Sequence, residues 1–281
     1  MSAKSSERAA FLALRICGCA VAAPILLILG LLIVKGAPAL SAEFLLSAPR
    51  MGLKEGGIFP AIVGTVILVA LAISVALPLG VACAVYLNEY AGDSRLTRLI
   101  RLSIVNLAGV PSVVFGLFGL GLFVLFLKFG VSILSGSLTL AFLILPVVIT
   151  ASEEALSSVP KSFSEASLAL GATKMQTILR VVLPNALPGM LTGAILGVSR
   201  AAGETAPILF TVAAFYLPRL PSSIFDQAMA LPYHLYIVST QVPGASETVK
   251  YGTALVLVSL AFGLNLVAII ARNRIRKQRK W

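Results

Sequence analysis

Arg200 and Glu204 stand in Ser199-Arg200-Ala-Ala-Gly203-Glu204-Thr205-Ala-Pro207, within a stretch from Val181 to Pro218 that carries no other charge. At about 1.5 Å of rise per residue, Leu187 to Arg200 spans roughly 20 Å of helix, too deep for the guanidinium to reach the membrane interface easily. An intramembrane Arg costs at least about 2.5 kcal/mol, so its retention points to a function. Glu204, four residues on, shares its helix face and can neutralise it. A guanidinium forks two parallel hydrogen bonds onto phosphate or carboxylate oxygens, so Arg200 could exchange Glu204 for a passing oxyanion. The alternative is a structural salt bridge that fixes helix rotation. Gly203 would allow close helix approach, and Pro207 would free a carbonyl and permit a bend.

The remaining reactive side chains exclude more than they suggest. His234 is the one histidine, so a His-rich zinc site is ruled out, and a Ser-His hydrolase has little to build on. Cys17, Cys19 and Cys83 lie in apolar runs without a Cys-x-x-Cys pair and read as packing residues. Glu153 and Glu154 close an apolar run and read as solvated rather than as a catalytic pair. No Gly-x4-Gly-Lys-Ser/Thr phosphate cradle occurs, so any ATP used must be bound by another chain.

These residues must be positioned by membrane helices. The 281 residues are 58% hydrophobic and 12% charged, with a mean hydropathy of +1.00, beyond what a soluble domain tolerates on its surface. About 20 apolar residues cross a bilayer as helix. Six such runs appear: Ile16–Val34, Gly56–Asn88, Leu102–Leu127, Phe129–Ser152, Val181–Pro218 with its two charges, and Tyr251–Ala271. The expected fold is an all-α polytopic membrane protein. Lys and Arg are biased toward the N-terminus, the 87–101 and 152–180 loops and the C-tail, which by the positive-inside rule places both termini in the cytoplasm. The tail from Arg272 to Lys280 reads as an anchor on anionic lipid rather than a nucleic-acid arm. Loops Ala37–Gly57 and Pro218–Lys250 are expected outside, folded on the membrane surface, where they could receive a partner or substrate.

Between spans four and five lies Glu165-Ala166-Ser167-Leu-Ala-Leu-Gly171-Ala-Thr-Lys174-Met-Gln-Thr-Ile-Leu-Arg180-Val181-Val-Leu183-Pro184. Pro160, Ser162 and Ser164 offer helix-start chemistry, and Ala166 to Leu170 form helix readily. Gly171 permits a left-handed turn, and a second helix, Ala172 to Leu183, is expected to run until Pro184 interrupts its pattern. The spacing resembles the loop of binding-protein-dependent ABC importers: Glu-Ala-Ala, three residues, Gly, nine residues, an aliphatic, one residue, then Leu-Pro. Ser167 replaces the second Ala. The resemblance implies that Glu165, Ala166, Ser167 and Gly171 dock on an ATPase subunit and pass its motion to the spans. An interfacial loop with no partner is the competing reading.

Arg-Ala-Ala-Gly-Glu-Thr-Ala-Pro is similar to the signature of the PstA family, permease subunits of phosphate ABC importers. Gly56 to Thr65, Leu77 to Tyr90 and Gly109 to Gly119 look like that family as well. Pro60, Gly64, Pro111, Gly116, Gly119 and Gly121 suit close packing. The resemblance implies a MetI-like ABC importer permease fold with six transmembrane helices. It implies a domain from residue 62 to 269, preceded by a tail, first helix and external loop (1–61) and followed by a basic tail (270–281). It further implies an inner-membrane location, a second PstC-like permease, a dimer of PstB-like ATPases that use the ATP, and an external PstS-like phosphate-binding protein. No cofactor, metal or catalytic residue is expected in this chain. The rival is a self-sufficient secondary anion transporter or channel, which the Arg200/Glu204 pair alone would allow but in which the protruding loop has no role.

Overall fold

A computed structural model describes residues 3–277, so the end of the basic tail, 278–281, lies outside the described residues. Lipid offers backbone groups no hydrogen-bond partner, and the apolar runs are helical accordingly. Helix α1 (Ala3–Gly36) is followed by the short α2 (Ala42–Leu46) and a minimal antiparallel hairpin of β1 (Pro49–Arg50) with β2 (Glu55–Gly56). Helix α3 (Phe59–Val85) is prolonged by a π-turn, Tyr86–Tyr90. Next come α4 (Arg95–Ala108), α5 (Ser112–Gly119) with a π-helical extension to Phe126, and α6 (Ile133–Ser157). The loop helices α7 (Lys161–Ala169) and α8 (Lys174–Thr177) lead into α9 (Leu183–Gly203) and α10 (Ala206–Thr211). The chain finishes with α11 (Leu231–Thr240) and α12 (Glu247–Lys277).

Five of the helical stretches are each long and apolar enough to cross a membrane: Ala10–Ala39, Phe59–Tyr90, Ile133–Ser157, Lys174–Gly203 and Glu247–Ile275. The third expected span, Leu102–Leu127, needs correction. Its first residues belong to α4, which meets the α5 stretch at 103°, so that a sixth span exists only as this bent pair. Gly109 and Pro111 explain the break: Pro111 has an extended ψ of 138° and caps α5, ending any continuous helix. Helix α4 buries none of its residues and carries Arg95, Arg98 and Arg101 three apart between leucines. That pattern suits a helix lying along the interface rather than through the membrane.

The core is built by α3, α6 and α9. Leu68, Ala72 and Ala76 of α3 meet Leu140, Leu143 and Ile144 of α6 and Val198, Ala201 and Ala202 of α9. Small residues let these backbones approach. A Cβ at Gly64 would collide with the Met229 carbonyl and one at Gly119 with Thr139, whereas Gly121 faces open space. Two smaller clusters close the ends. Phe44, Ile58, Leu231 and Ile237 gather at the end that carries the hairpin; Ala84, Leu156, Val182 and Met190 gather at the opposite end, rich in Arg and Lys, called the basic end below.

Two further expectations change. Cys17 and Cys19 lie on the exposed surface of α1 and take no part in packing within this chain, while Cys83 is half-buried. The 218–250 segment is more than a surface cover. Leu231, Pro232, His234 and Ile237 of α11 are buried, and the Leu231 amide donates to Thr65 Oγ1 of α3 at 2.8 Å. Burying α11 costs His234 its solvent: Nδ1 has no hydrogen-bond partner, and burial pushes the imidazole pKa down to about 4.

Candidate functional site

Arg200 occupies the last turn of α9, where the unpaired carbonyls favour a cation. The helix stops at Gly203, and Glu204 adopts an extended conformation with ψ 131° before α10 starts with Pro207 in its first turn. The pair is therefore not on one continuous helix as the spacing predicts; it straddles a break. Arg200 Nε still donates to Glu204 Oε1 at 3.5 Å, with the side chains 30% and 16% exposed. Gly203 does not serve close packing, because a Cβ there would meet nothing within 4 Å. Gly116 does: a Cβ there would press on the Ala206 carbonyl and on Pro207 at 3.0 Å, so α5 backs directly onto the break. Thr192, Leu196, Ser199 and Gly203 of α9 are exposed on a line one turn apart. Arg200 and Glu204 flank the end of this open face.

At the basic end the two-helix loop forms with a different start from the one expected. Pro160 precedes α7 without any side-chain cap, and Ser162 and Ser164 lie inside the helix. Gly171 takes φ +83°, the left-handed turn its identity predicts. Helix α8 is capped reciprocally by Thr173 and Gln176, a Thr-x-x-Gln signature that the sequence displays and that the motif comparison passed over. Pro184 does not end the helix. A π-turn, Ile178–Val182, absorbs the misfit, and the helix runs from Lys174 to Gly203 in one piece. Glu165, Ala166 and Gly171 are exposed, and Ser167 shares a hydrogen bond of 2.9 Å with Thr177 that ties α7 to α8. Leu170, 89% exposed, projects from the tip beside exposed Leu168, Met175 and Leu179. This apolar surface on a polar loop is what a docked partner would cover.

The two sets of sequence-predicted residues do not meet; the continuous helix Lys174–Gly203 runs between them, starting three residues after Gly171 and stopping one residue before Glu204. A third set was missed. Arg101 of α4 pairs with Glu153 Oε1 of α6 at 3.4 Å and donates to the Leu87 carbonyl at 2.8 Å. Glu153 is thus not solvated: its side chain is 17% exposed, while Glu154 faces out as expected. The three-residue spacing of Arg95, Arg98 and Arg101 was the available signal for an interface helix able to lend an arginine to its neighbour.

These features define the class: a polytopic α-helical membrane protein with a protruding two-helix loop. The chain belongs to the family described as binding-protein-dependent transport system inner membrane component, which matches residues 76–280. It is 34% identical to the probable ABC transporter permease protein YqgI of Bacillus subtilis, over 94% of this chain and 95% of that one. It is 39% identical to the phosphate transport system permease protein PstA 1 of Mycobacterium tuberculosis, over 80% of this chain and 72% of that one. A structure of the MetNI methionine ABC transporter in an inward-facing conformation superposes with a TM-score of 0.60 at 19% identity, over 78% of this chain and 94% of the other, a likeness of fold.

Proposed function

We propose that this chain is the transmembrane permease subunit of an ATP-driven phosphate importer and forms half of the translocation path. The carrying observation is the unbroken helix Lys174–Gly203, which begins in an exposed loop and carries Arg200 in its last turn. Phosphate as cargo follows from the relatives named phosphate transport permeases, and a guanidinium suits a tetrahedral oxyanion. In this reading Arg200 trades Glu204 for phosphate in the path, and Glu204 returns to displace it. Glu165, Ala166, Ser167 and Gly171 contact the ATPase. The path is completed by a second, PstC-like permease. Two PstB-like chains bind and hydrolyse ATP, a PstS-like protein delivers phosphate from outside, and this chain itself binds no cofactor. In this reading the basic end and both termini are cytoplasmic, which the excess of Lys and Arg there supports. The permease domain extends over residues 62–269.

Uptake of phosphate into vesicles by the complete complex is the test. The expected result is ATP-dependent uptake that Arg200→Ala and Glu204→Gln both depress; full activity in both variants would return the pair to a structural role. ATP-independent uptake by this chain alone would favour a secondary carrier.

A further inference from the structure

Contacts from α4, α6 and α8 converge on the π-turn Tyr86–Tyr90 at the end of α3. The last carbonyls of a helix lack partners within it, and here side chains from other elements supply them. Lys174, the first residue of α8, donates from Nζ to the Glu89 carbonyl and lies 4.7 Å above the Tyr90 ring. Tyr90 Oη in turn donates to Met175 Sδ at 3.7 Å. From α4, Arg101 donates to the Leu87 carbonyl while paired with Glu153 of α6. Also from α6, Ser157 Oγ donates to Asn88 Oδ1 at 3.0 Å, and Asn88 Nδ2 reaches Glu89 Oε1 at 2.9 Å.

We propose that this turn is a second transmission point, at which Lys174 and Arg101 act as positioning residues that carry displacement of the loop into α3, α4 and α6, in parallel with the direct route along α9. The inference rests on the reading of the 161–182 loop as the ATPase contact. Stability alone does not account for the clasp. Tyr90 is 48% exposed, and cation–π and polar contacts at such sites add little to folding. Their effect is connective. Without Lys174, α8 would keep its cap and its Ser167–Thr177 bond to α7 but would be tied to the end of α3 only through the weak Tyr90–Met175 contact.

The test uses the complete complex in vesicles with inorganic phosphate, reading phosphate taken up per ATP hydrolysed and recovery of the ATPase with the permease on purification. Lys174→Ala is expected to lower the ratio about fivefold or more with ATPase recovery unchanged. Arg101→Gln combined with Glu153→Gln, which leaves neither charge buried alone, should do the same. Joining Tyr90→Cys to Lys174→Cys through a short bifunctional linker, in a background lacking the native cysteines, should restore the ratio. A wild-type ratio in both the Lys174 and the Arg101/Glu153 variants overturns the inference and leaves the loop reading standing. Loss of ATPase recovery in Lys174→Ala also overturns it, by placing Lys174 in the docking surface. A wild-type complex that recovers no ATPase overturns both.

Discussion

Two Arg–Glu pairs lie in the helical bundle at nearly equal separations, 3.5 Å for Arg200–Glu204 and 3.4 Å for Arg101–Glu153, yet their connectivity differs. The first is made within one short stretch, across the break between α9 and α10. Turning a single side chain opens it, and no helix has to move. The second bridges α4 and α6 and also holds the end of α3, so opening it releases three elements from one another. A pair of the first kind suits exchange with a mobile anion, and a pair of the second kind suits holding. Distance alone would have classed them together.

The contrast is broken most directly by exchanging charges. Reversing Arg200/Glu204 to Glu/Arg should lower phosphate uptake about 100-fold, because a guanidinium aimed from position 204 no longer meets the cargo. Reversing Arg101/Glu153 should recover part of what Arg101→Glu alone loses, since the link between α4 and α6 needs only opposite signs while the bond to the Leu87 carbonyl is lost. Equal outcomes in vesicle uptake would erase the distinction.

A buried ring whose Nδ1 has no hydrogen-bond partner supplies the next comparison. His234 is buried neutral with its pKa near 4, below the usual 6.5. Below about pH 6.5 the unfolded chain takes up a proton that the folded chain refuses, so stability is complete above that pH and declines toward pH 4. Relative to His234→Phe, the wild type should lose about 2 kcal/mol between pH 7.5 and pH 5, read from thermal unfolding in detergent. No difference between the two pH profiles would mean that His234 gains a partner on protonation.

Lesions in the loop should behave as transmission faults and leave cargo recognition alone. Gly171→Val forces a β-branched residue to φ +83° and should lower uptake about tenfold. The phosphate concentration for half-maximal uptake should stay put, whereas Arg200→Lys should raise it. The smallest effect is expected for Thr173→Ala, which removes the α8 cap: amide exchange at Gln176 should quicken about fivefold, corresponding to about 1 kcal/mol.

Features that depend on neighbours in sequence were legible. The two-helix loop is contiguous, so its Gly, its helices and its following Leu-Pro could be placed, and Arg200–Glu204 announces itself by a spacing of four. Long apolar runs likewise marked α1, α3, α6, α9 and α12. What failed depends on distance along the chain or on local irregularity. Nothing near Glu153 points to Arg101, because the bent pair α4–α5 brings them together in space only. The π-turn at Ile178–Val182 hides from a rule that ends helices at proline, since one extra residue per turn relieves the clash. The buried α11 reads as an ordinary loop because its apolar residues are too few to cross a membrane.

That irregular turn has a mechanical consequence. Thirty residues from Lys174 to Gly203 make a rod of about 45 Å. Tilting such a rod by about 10° around its midpoint swings each tip by about 4 Å in opposite senses, on the 1.5 Å rise that sets its length. A nudge of that size at Lys174 would therefore reappear, reversed, at the far tip, where it carries Arg200 and the adjoining Glu204 along as one unit.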